Sequence, residues 1–195
     1  MAVTKGRVAV ATAGALLMLG AGVASAQAGP AAPAASTFAR QAESAHLTSA
    51  QTRAVQAKVD GYLKKTGGTQ VALNKIDLNG KGEILVALPG EPRPRSLAPA
   101  GTKGAAVDHC LDGPVYSGYF CAYEKDFYQG DETQMYYCQS YPMNYRRGGS
   151  WINDQTPGRR ARMYGRNGNL LYTTPPPYSY DRQGDWYHVF TVRPC

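Results

Sequence analysis

The residues with the most distinctive chemistry in this sequence are four cysteines in its C-terminal half. They are Cys110, Cys121, Cys138 and Cys195. An even number of cysteines in an exported chain is typical of disulfides. A zinc site would favour C-x-x-C pairs and more histidines than the three present, so we expect two disulfides and no metal. Three pairings are possible. We favour the one that ties the first strand to its lead-in loop and the C terminus to the sheet, Cys110–Cys121 with Cys138–Cys195.

A second group of residues could bind a partner. Arginine forms bidentate contacts to carboxylates and phosphates, and tyrosine provides contact area at little entropic cost. We predict that residues 146–162, which glycine and proline punctuate, form a cationic surface loop, and that residues 175–180 form a stiff, aromatic one. Trp151 is either a buried anchor or an exposed hot spot, and the arginines either bind a partner or form a solvated face. The candidate partner-binding residues are Arg146, Arg147, Trp151, Arg159, Arg160, Tyr178 and Tyr180.

The sequence contains only weak signals for a catalytic site. The chain has no Gly-x-Ser-x-Gly motif, and its cysteines are assigned to disulfides. His188 lies in a predicted strand, where we interpret it as structural or exposed. The segment 184–187 faintly resembles the end of guanyl-type ribonucleases, but Trp186 stands where those enzymes have their acid histidine. We therefore predict a protein that is not an enzyme and has no catalytic residues or cofactor, with a small secreted ribonuclease as the least favoured alternative.

The first 26 residues have the pattern of a secretory signal peptide. Lys5 and Arg7 precede an uncharged apolar run over residues 8–23, and Ala24-Ser25-Ala26 supplies the small residues that signal peptidase requires. The run is short and rich in glycine and alanine, which disfavours a permanent membrane anchor. We predict cleavage before Gln27, secretion, and no membrane association of the mature protein.

Composition changes sharply near residue 107. Beyond it lie all four cysteines, both tryptophans and every tyrosine except Tyr62. Basic residues outnumber acidic ones ten to five over residues 27–106 but equal them, nine to nine, over residues 107–195. The basic character thus belongs to the N-terminal part, and we expect no nucleic-acid partner for the C-terminal domain.

The segment before residue 107 divides into three parts. Residues 27–45 are rich in alanine, proline and serine and predict a disordered leader. Residues 46–90 predict a helix-plus-hairpin unit, and residues 91–106, with several prolines, predict a linker. This unit is too small to be stable alone, so it either packs on the C-terminal domain or is removed as a pro-region.

Local signals define the helix and hairpin. Thr48 and Gln51 fit a capping box, and Gly67-Gly68 should end the helix. Residues 79–82, Asn-Gly-Lys-Gly, should turn a hairpin between strands at 70–78 and 83–88, with a bulge near Asn74 where the apolar phase changes.

The pattern of residues 107–195 predicts a disulfide-bonded β domain. Short runs of aromatic and β-branched residues alternate with turn residues, and the turn at 166–169 should close one hairpin. The predicted strands cover residues 119–123, 133–138, 161–164, 170–174 and 186–192.

This domain resembles a known group of inhibitors. Its opening pattern consists of Cys110, the run Gly118-Tyr119-Phe120-Cys121, and then Tyr123, Tyr128 and Gly130. Segments 149–156 and 192–195 extend the likeness over about 85 residues. The pattern is similar to that of the secreted actinobacterial peptidase inhibitors of family I36. The resemblance implies a Greek-key, βγ-crystallin-like fold in which Gly130 takes a backbone conformation closed to other residues.

The residues and the resemblance together lead to one functional expectation and one alternative. We expect a mainly β, monomeric secreted protein that binds and inhibits an extracellular peptidase. The alternative is a module that binds a cell-wall or other extracellular polymer through its arginines and tyrosines. The order of residues 153–156, Asn-Asp-Gln-Thr, begins like a crystallin calcium site, but Pro157 and Gly158 occupy ligand positions, so we predict no metal there.

Overall fold

The computed structural model describes residues 32–98 and 108–195. The predicted signal peptide lies outside these residues, as does the end of the predicted linker. Within the described ranges the chain forms two helices and eleven strands, with a single 3-10 turn between the fourth and fifth strands. This confirms a mainly β, disulfide-linked fold preceded by a helical unit. None of the helices in these ranges is long and apolar enough to cross a membrane.

The two helices lie at the start of the described chain. They are α1, Ala32–Ser44, and α2, Ser49–Thr66. Helix α2 begins at the predicted capping box: Gln51 N donates to Thr48 Oγ1, and Thr48 N donates to Gln51 Oε1. It ends at Gly67, whose N–H bonds to Leu63 O. Its buried face carries Val55, Val59 and Tyr62.

Helix α1 corrects the prediction of a disordered leader over residues 32–44, and residues 27–31 of that prediction lie outside the described chain. Alanine has the highest helix propensity of all residues, and Phe38 and Ala42, four positions apart, give the helix an apolar side that packs on the core. Tertiary contacts then hold the helix in place. Ala42 is buried in the core, and the side chain of Gln41 accepts a hydrogen bond from Leu73 N at 2.7 Å.

Three short strands follow α2. They are β1 (Thr69–Ala72), β2 (Lys75–Asp77) and β3 (Gly82–Leu85). The turn at residues 79–82 joins β2 to β3 as predicted. The expected bulge near Asn74 is instead a complete reversal, with Ala72 paired to Lys75. The buried Asn74 side chain donates to Val86 O and Arg95 O and so fixes both the turn and the start of the predicted linker.

The helix-plus-hairpin unit is not separate from the C-terminal domain. Strand β3 pairs antiparallel with β5 (Gln129–Met135), so the hairpin extends the C-terminal sheet. The resulting seven-stranded sheet also contains β4 (Tyr119–Lys125), β7 (Gly148–Asp154) and β10 (Ser179–Asp185), in the order β1-β2-β3-β5-β4-β7-β10. One continuous apolar core contains residues of α1, α2 and the central strands.

A second antiparallel sheet lies in the C-terminal half. It has the order β6-β11-β8-β9, formed by β6 (Tyr141–Pro142), β8 (Arg162–Tyr164), β9 (Leu170–Thr173) and β11 (Thr191–Arg193). The predicted strand at 186–192 is wrong over most of its length. The Asp185 carboxylate accepts Tyr187 N, and Val189 N bonds to Trp186 O, so the chain turns there before β11.

Both disulfides have the favoured pairing, Cys110–Cys121 and Cys138–Cys195. The first lies in a small cluster with Tyr123 and Ile152, on the face of the large sheet opposite the main core. Strand alternation explains this arrangement, because Phe120 and Ala122 point into the main core while Cys121 and Tyr123 point away from it. Gly130 has a positive φ of 78°, a backbone conformation of the kind that the resemblance implied.

Candidate functional site

The chain between β9 and β10 forms a short proline-rich segment, which we call the proline loop (residues 174–178). Its first residue, Thr174, is fully buried and bonded to the segment before β8: Thr174 N donates to Ala161 O at 2.9 Å, and Thr174 Oγ1 accepts from Ala161 N at 3.0 Å. After the loop, Ser179 begins β10 and pairs with Asn153 of β7. Both ends of the loop are therefore fixed by the sheets.

Asn153 supports the loop from beneath. Its side chain is completely buried, and its Nδ2 lies 3.0 Å from Pro175 O, 3.2 Å from Thr174 Oγ1 and 3.2 Å from Arg159 O. Gln155 Nε2 donates to Asn153 Oδ1 at 2.9 Å, which fixes the orientation of the amide. One carboxamide thus joins the loop to the neighbouring segment around Arg159.

The loop presents aromatic and proline surface outward. Pro175 and Pro176 are exposed, and Tyr178 and Tyr180 are 41% and 52% exposed. Their rings lie 6.1 Å apart, and the Arg182 guanidinium lies over the Tyr180 ring at 5.5 Å. Tyrosine is neutral at physiological pH, and partial burial raises the pKa of Tyr178 further. The result is a rigid, uncharged aromatic protrusion beside one cation.

The predicted cationic surface loop over residues 146–162 is wrong. Its central part is strand β7, which pairs with β4 on one side and β10 on the other. Trp151 is consequently buried, with its ring centroid 6.0 Å from that of Phe120, as the anchor alternative requires. Glycine and serine around the tryptophan suggested a loop, but Gly149 is needed there because the Trp186 ring packs against its Cα.

The predicted arginines do not form one surface. Arg146 lies in a cleft with Arg166, whereas the exposed Arg147 contributes its carbonyl to Trp186 N. Arg159 lines a different cleft beside Tyr136 and Tyr137. Arg160 Nε donates to Thr174 O at 2.6 Å and therefore supports the proline loop.

A row of aromatic rings forms a separate, partly exposed surface, which we call the aromatic row (His109, Tyr119, Tyr136 and Tyr137). His109 and Tyr119 stack at 4.1 Å, Tyr119 and Tyr136 lie 4.9 Å apart, and Tyr136 meets Tyr137 edge-on at 5.1 Å. The last two rings are exposed, and they border the cleft of about 310 Å³ that contains Arg159.

Three further polar groups have structural partners. The Asp154 carboxylate accepts Tyr116 N and Ser117 N, so the calcium-like segment uses this side chain to hold the chain before β4. Asp108 accepts the Tyr123 hydroxyl and two backbone N–H groups, from Cys110 and Leu111. Cys121 Sγ lies close to the Asp108 and Glu132 carboxylates, but it is already bonded to Cys110.

Comparison of the chain with protein-family models, curated proteins and solved structures found no match. The site is therefore defined by its geometry. Tyr178, Tyr180 and Arg160 belong to one site, and Arg159 touches it through its backbone. Sequence reasoning missed Asn153 and Thr174 as the supports of the loop. Their proximity depends on pairing between strands far apart in sequence, although an asparagine in a β-rich run was itself a visible signal.

Proposed function

We propose that the mature protein is a secreted, non-enzymatic inhibitor of an extracellular peptidase, and that the proline loop with Tyr178 and Tyr180 enters the substrate cleft of the target. The observation that carries this proposal is the buried Asn153 amide, which holds the loop in one conformation before any partner binds. Binding by a preorganised loop avoids the entropic cost of ordering it on association. The resemblance to family I36 inhibitors supports the same function.

The chemistry of the loop indicates which targets to test. An exposed tyrosine flanked by proline fits a peptidase whose cleft accepts aromatic side chains, since aromatic anchors contribute most when they fill a pocket. The peptide bond after Tyr178 is followed at once by β10, whose Ser179 pairs with Asn153. A chain segment held in a sheet cannot readily separate after cleavage, which favours inhibition over digestion.

The test is an inhibition assay with mature protein, residues 27–195, against serine and metallopeptidases that cleave beside aromatic residues. Tyr178→Ala should raise the inhibition constant at least tenfold without changing the melting temperature. Tyr187→Ala is the matched control, because Tyr187 is also exposed but lies in the arginine-containing cleft away from the loop. Absence of inhibition at micromolar concentration across the panel, or equal loss in both variants, would contradict the proposal.

Loosening of the loop provides a second, independent measurement. Asn153→Ala removes two hydrogen bonds to the loop, at Thr174 Oγ1 and Pro175 O, and one to Arg159 O beside it. The loop should therefore be cut near Tyr178 by a peptidase that the wild type inhibits. Cleavage is read by mass spectrometry, with near-UV circular dichroism to confirm that the variant is folded. An Asn153→Ala variant that is folded and inhibits as well as wild type would show that preorganisation is not needed.

A second candidate function, binding of a cell-wall or other extracellular polysaccharide, is favoured by the aromatic row. Sugar rings pack their apolar faces on exposed aromatic side chains, and Arg159 in the adjoining cleft offers a donor for an acidic sugar. Pull-down on peptidoglycan and acidic polysaccharides tests it. Tyr137→Ala should reduce retention, and Tyr180→Ala, at an exposed ring outside the aromatic row, should not. Polymer binding without peptidase inhibition would make this the function.

Export is part of the proposal, and its support is indirect. Two disulfides suit an oxidising compartment. Intact-mass analysis of protein from a culture medium, with and without reduction, should give a chain beginning at Gln27 with no free thiol. A retained N terminus or a persistent thiol would contradict it.

A further inference from the structure

A cleft of about 500 Å³ opens beside the turn that joins β8 to β9, well outside the proposed inhibitory loop. We call it the arginine cleft. Its main lining residues are Arg146, Arg166, Asn169, Tyr187, His188 and Phe190. The turn at 165–169 holds Arg166 in place, because Gly165 N donates to Asn169 O and Gly168 N donates to Gly165 O.

Two guanidinium groups share one aromatic ring in this cleft. The Cζ atoms of Arg146 and Arg166 lie 4.1 Å and 4.6 Å from the centroid of Phe190. Arg146 is further fixed by Nη1, which donates to Tyr145 O at 2.5 Å and to Val189 O at 3.0 Å. Cation–π contacts to one ring orient both side chains before a ligand arrives.

The two positive charges are not neutralised by the described part of the protein. No carboxylate of residues 32–98 or 108–195 makes a salt bridge with Arg146 or Arg166. Asp181 and Asp185 line the adjoining cleft of about 320 Å³ instead. Partial burial lowers the pKa of Arg146, and the nearby charge of Arg166 lowers it further. Because the two guanidinium groups are held close together and repel each other, binding of an anion between them would be favourable.

We infer that the arginine cleft binds a phosphate group, with Arg146 and Arg166 as its charge partners and Tyr187, His188 and Asn169 as further hydrogen-bonding groups. A phosphate monoester carries close to two negative charges at neutral pH and offers three acceptor oxygens. A carboxylate offers one charge and two oxygens and would leave one guanidinium unpaired. Arginine also matches phosphate geometry with paired N–H donors.

Two sources could supply this chemistry. Free phosphate places close to two charges on one group, whereas a phosphodiester carries one charge, so an extracellular polymer would pair two neighbouring phosphates with Arg146 and Arg166. The cleft is open and its arginines are exposed, so a chain of linked phosphates could pass along it. This site is independent of the proline loop, and its test does not depend on peptidase inhibition.

The experiment is a titration of 15N-labelled mature protein followed by NMR, at constant pH and constant ionic strength. The probes are inorganic phosphate, glycerol phosphate, a short glycerol-phosphate phosphodiester oligomer, and sodium acetate as the carboxylate comparison. We expect saturable shifts of the amide signals of residues 165–169 and 187–190 with the phosphates. Acetate should produce no saturation in the same concentration range. Tighter binding of the oligomer than of the monomers identifies a polymer source, and tightest binding of inorganic phosphate identifies free phosphate.

Two variants localise the site. Arg166→Gln should weaken phosphate binding at least tenfold, whereas Arg53→Gln removes the same charge from the exposed face of α2 and should leave it unchanged. Wild-type binding of acetate as tight as that of phosphate would overturn the assignment to phosphate. Equal affinity of Arg166→Gln and wild type for phosphate would overturn the site itself.

Discussion

The hydroxyl of Tyr62 in α2 donates a 2.8 Å hydrogen bond to the buried carboxylate of Asp131 in β5. Lys58 Nζ lies 2.7 Å from the same carboxylate, and Ala87 N donates to it at 3.0 Å. Side chains of helix α2 and a backbone N–H of the chain after β3 therefore all contact the Asp131 carboxylate in the C-terminal domain. A buried carboxylate requires such partners, because an unpaired charge in the interior is very costly.

Tyr62→Phe tests how much this contact contributes. The substitution removes the hydroxyl, keeps the ring volume, and leaves the Asp131 carboxylate with fewer donors. We expect the free energy of unfolding to fall by about 1–2 kcal/mol, measured by urea denaturation of the mature protein. Tyr187→Phe, at an exposed ring, should change it by less than about 0.5 kcal/mol. Equal effects in the two variants would show that the Asp131 contact contributes nothing particular.

Removal of residues 27–106 should leave a poorly folded domain. Without β3, strand β5 becomes an unpaired edge, and Asp131 loses its partners from α2 and from Ala87. Part of the main core, including Val55 and Val59, also disappears. We expect residues 107–195 alone to unfold at least 10 °C below the full mature chain or to aggregate. A melting temperature equal to that of the full chain would instead support a removable pro-region.

The parts of the fold that the sequence predicted best depend on neighbouring residues. The capping box at Thr48 and Gln51, the Gly67 helix end and the turn at residues 79–82 each use contacts within a few positions. The same holds for the Cys110–Cys121 pairing, whose two cysteines are eleven positions apart. Local chemistry sets these features, so a single sequence is enough to find them.

Features set by distant pairing could not be predicted in the same way. The glycines and serine around Trp151 are typical of a loop, but in the structure this segment is strand β7, which pairs with β4 on one side and β10 on the other. The predicted strand began at residue 133 and missed the start of β5, where the polar Asp131 has its partners in α2 and in the chain after β3. For the same reason Asn153 was noticed only as part of a calcium-like pattern, and its role beneath the proline loop was missed.

Glu132 should make stability depend on pH. Burial raises the pKa of its carboxyl group well above the usual range, and the nearby Asp108 and Glu83 charges raise it further. The folded state therefore holds this proton more tightly than the unfolded state, so the contribution is present at low pH and is lost as pH rises through the folded-state pKa. We expect Glu132→Gln to increase the free energy of unfolding at pH 7 and to flatten its dependence between pH 5 and 7.

Urea denaturation at several pH values provides the measurement for Glu132. Glu91→Gln is the control, because Glu91 lies near the surface in an ion pair with Arg95. If Glu132→Gln were less stable than wild type at pH 7, the carboxylate would have to be ionised and paired in the folded protein.

Gly149 and Gly61 provide a matched comparison, because a side chain added at the first would meet close neighbours and one added at the second would meet none. A Cβ on Gly149 would overlap Trp186 Cδ1 and lie 2.6 Å from Tyr123 O, whereas a Cβ on Gly61 in α2 would meet nothing within 4 Å. Gly149→Ala should lower the free energy of unfolding by about 1–3 kcal/mol through overpacking. Gly61→Ala should raise it by about 0.5–1 kcal/mol, because alanine favours the helix. Thermal and urea unfolding check both signs, and a neutral Gly149→Ala would show that the Trp186 ring can move aside.

Trp151→Ala separates the two roles that the sequence left open for this residue. The ring is buried between β-sheet neighbours, 6.0 Å from Phe120 and 6.1 Å from Tyr172. Its removal should therefore cost about 3–5 kcal/mol of stability through lost burial and the cavity that remains. Arg147→Ser, at an exposed residue of the same predicted surface, should leave stability within about 0.5 kcal/mol of wild type.

Binding measurements complete the comparison for Trp151. Below its own unfolding temperature, Trp151→Ala should retain peptidase inhibition, because the side chain does not reach the solvent near the proline loop. A variant with wild-type stability that fails to bind a partner would contradict the anchor role and return Trp151 to the binding surface.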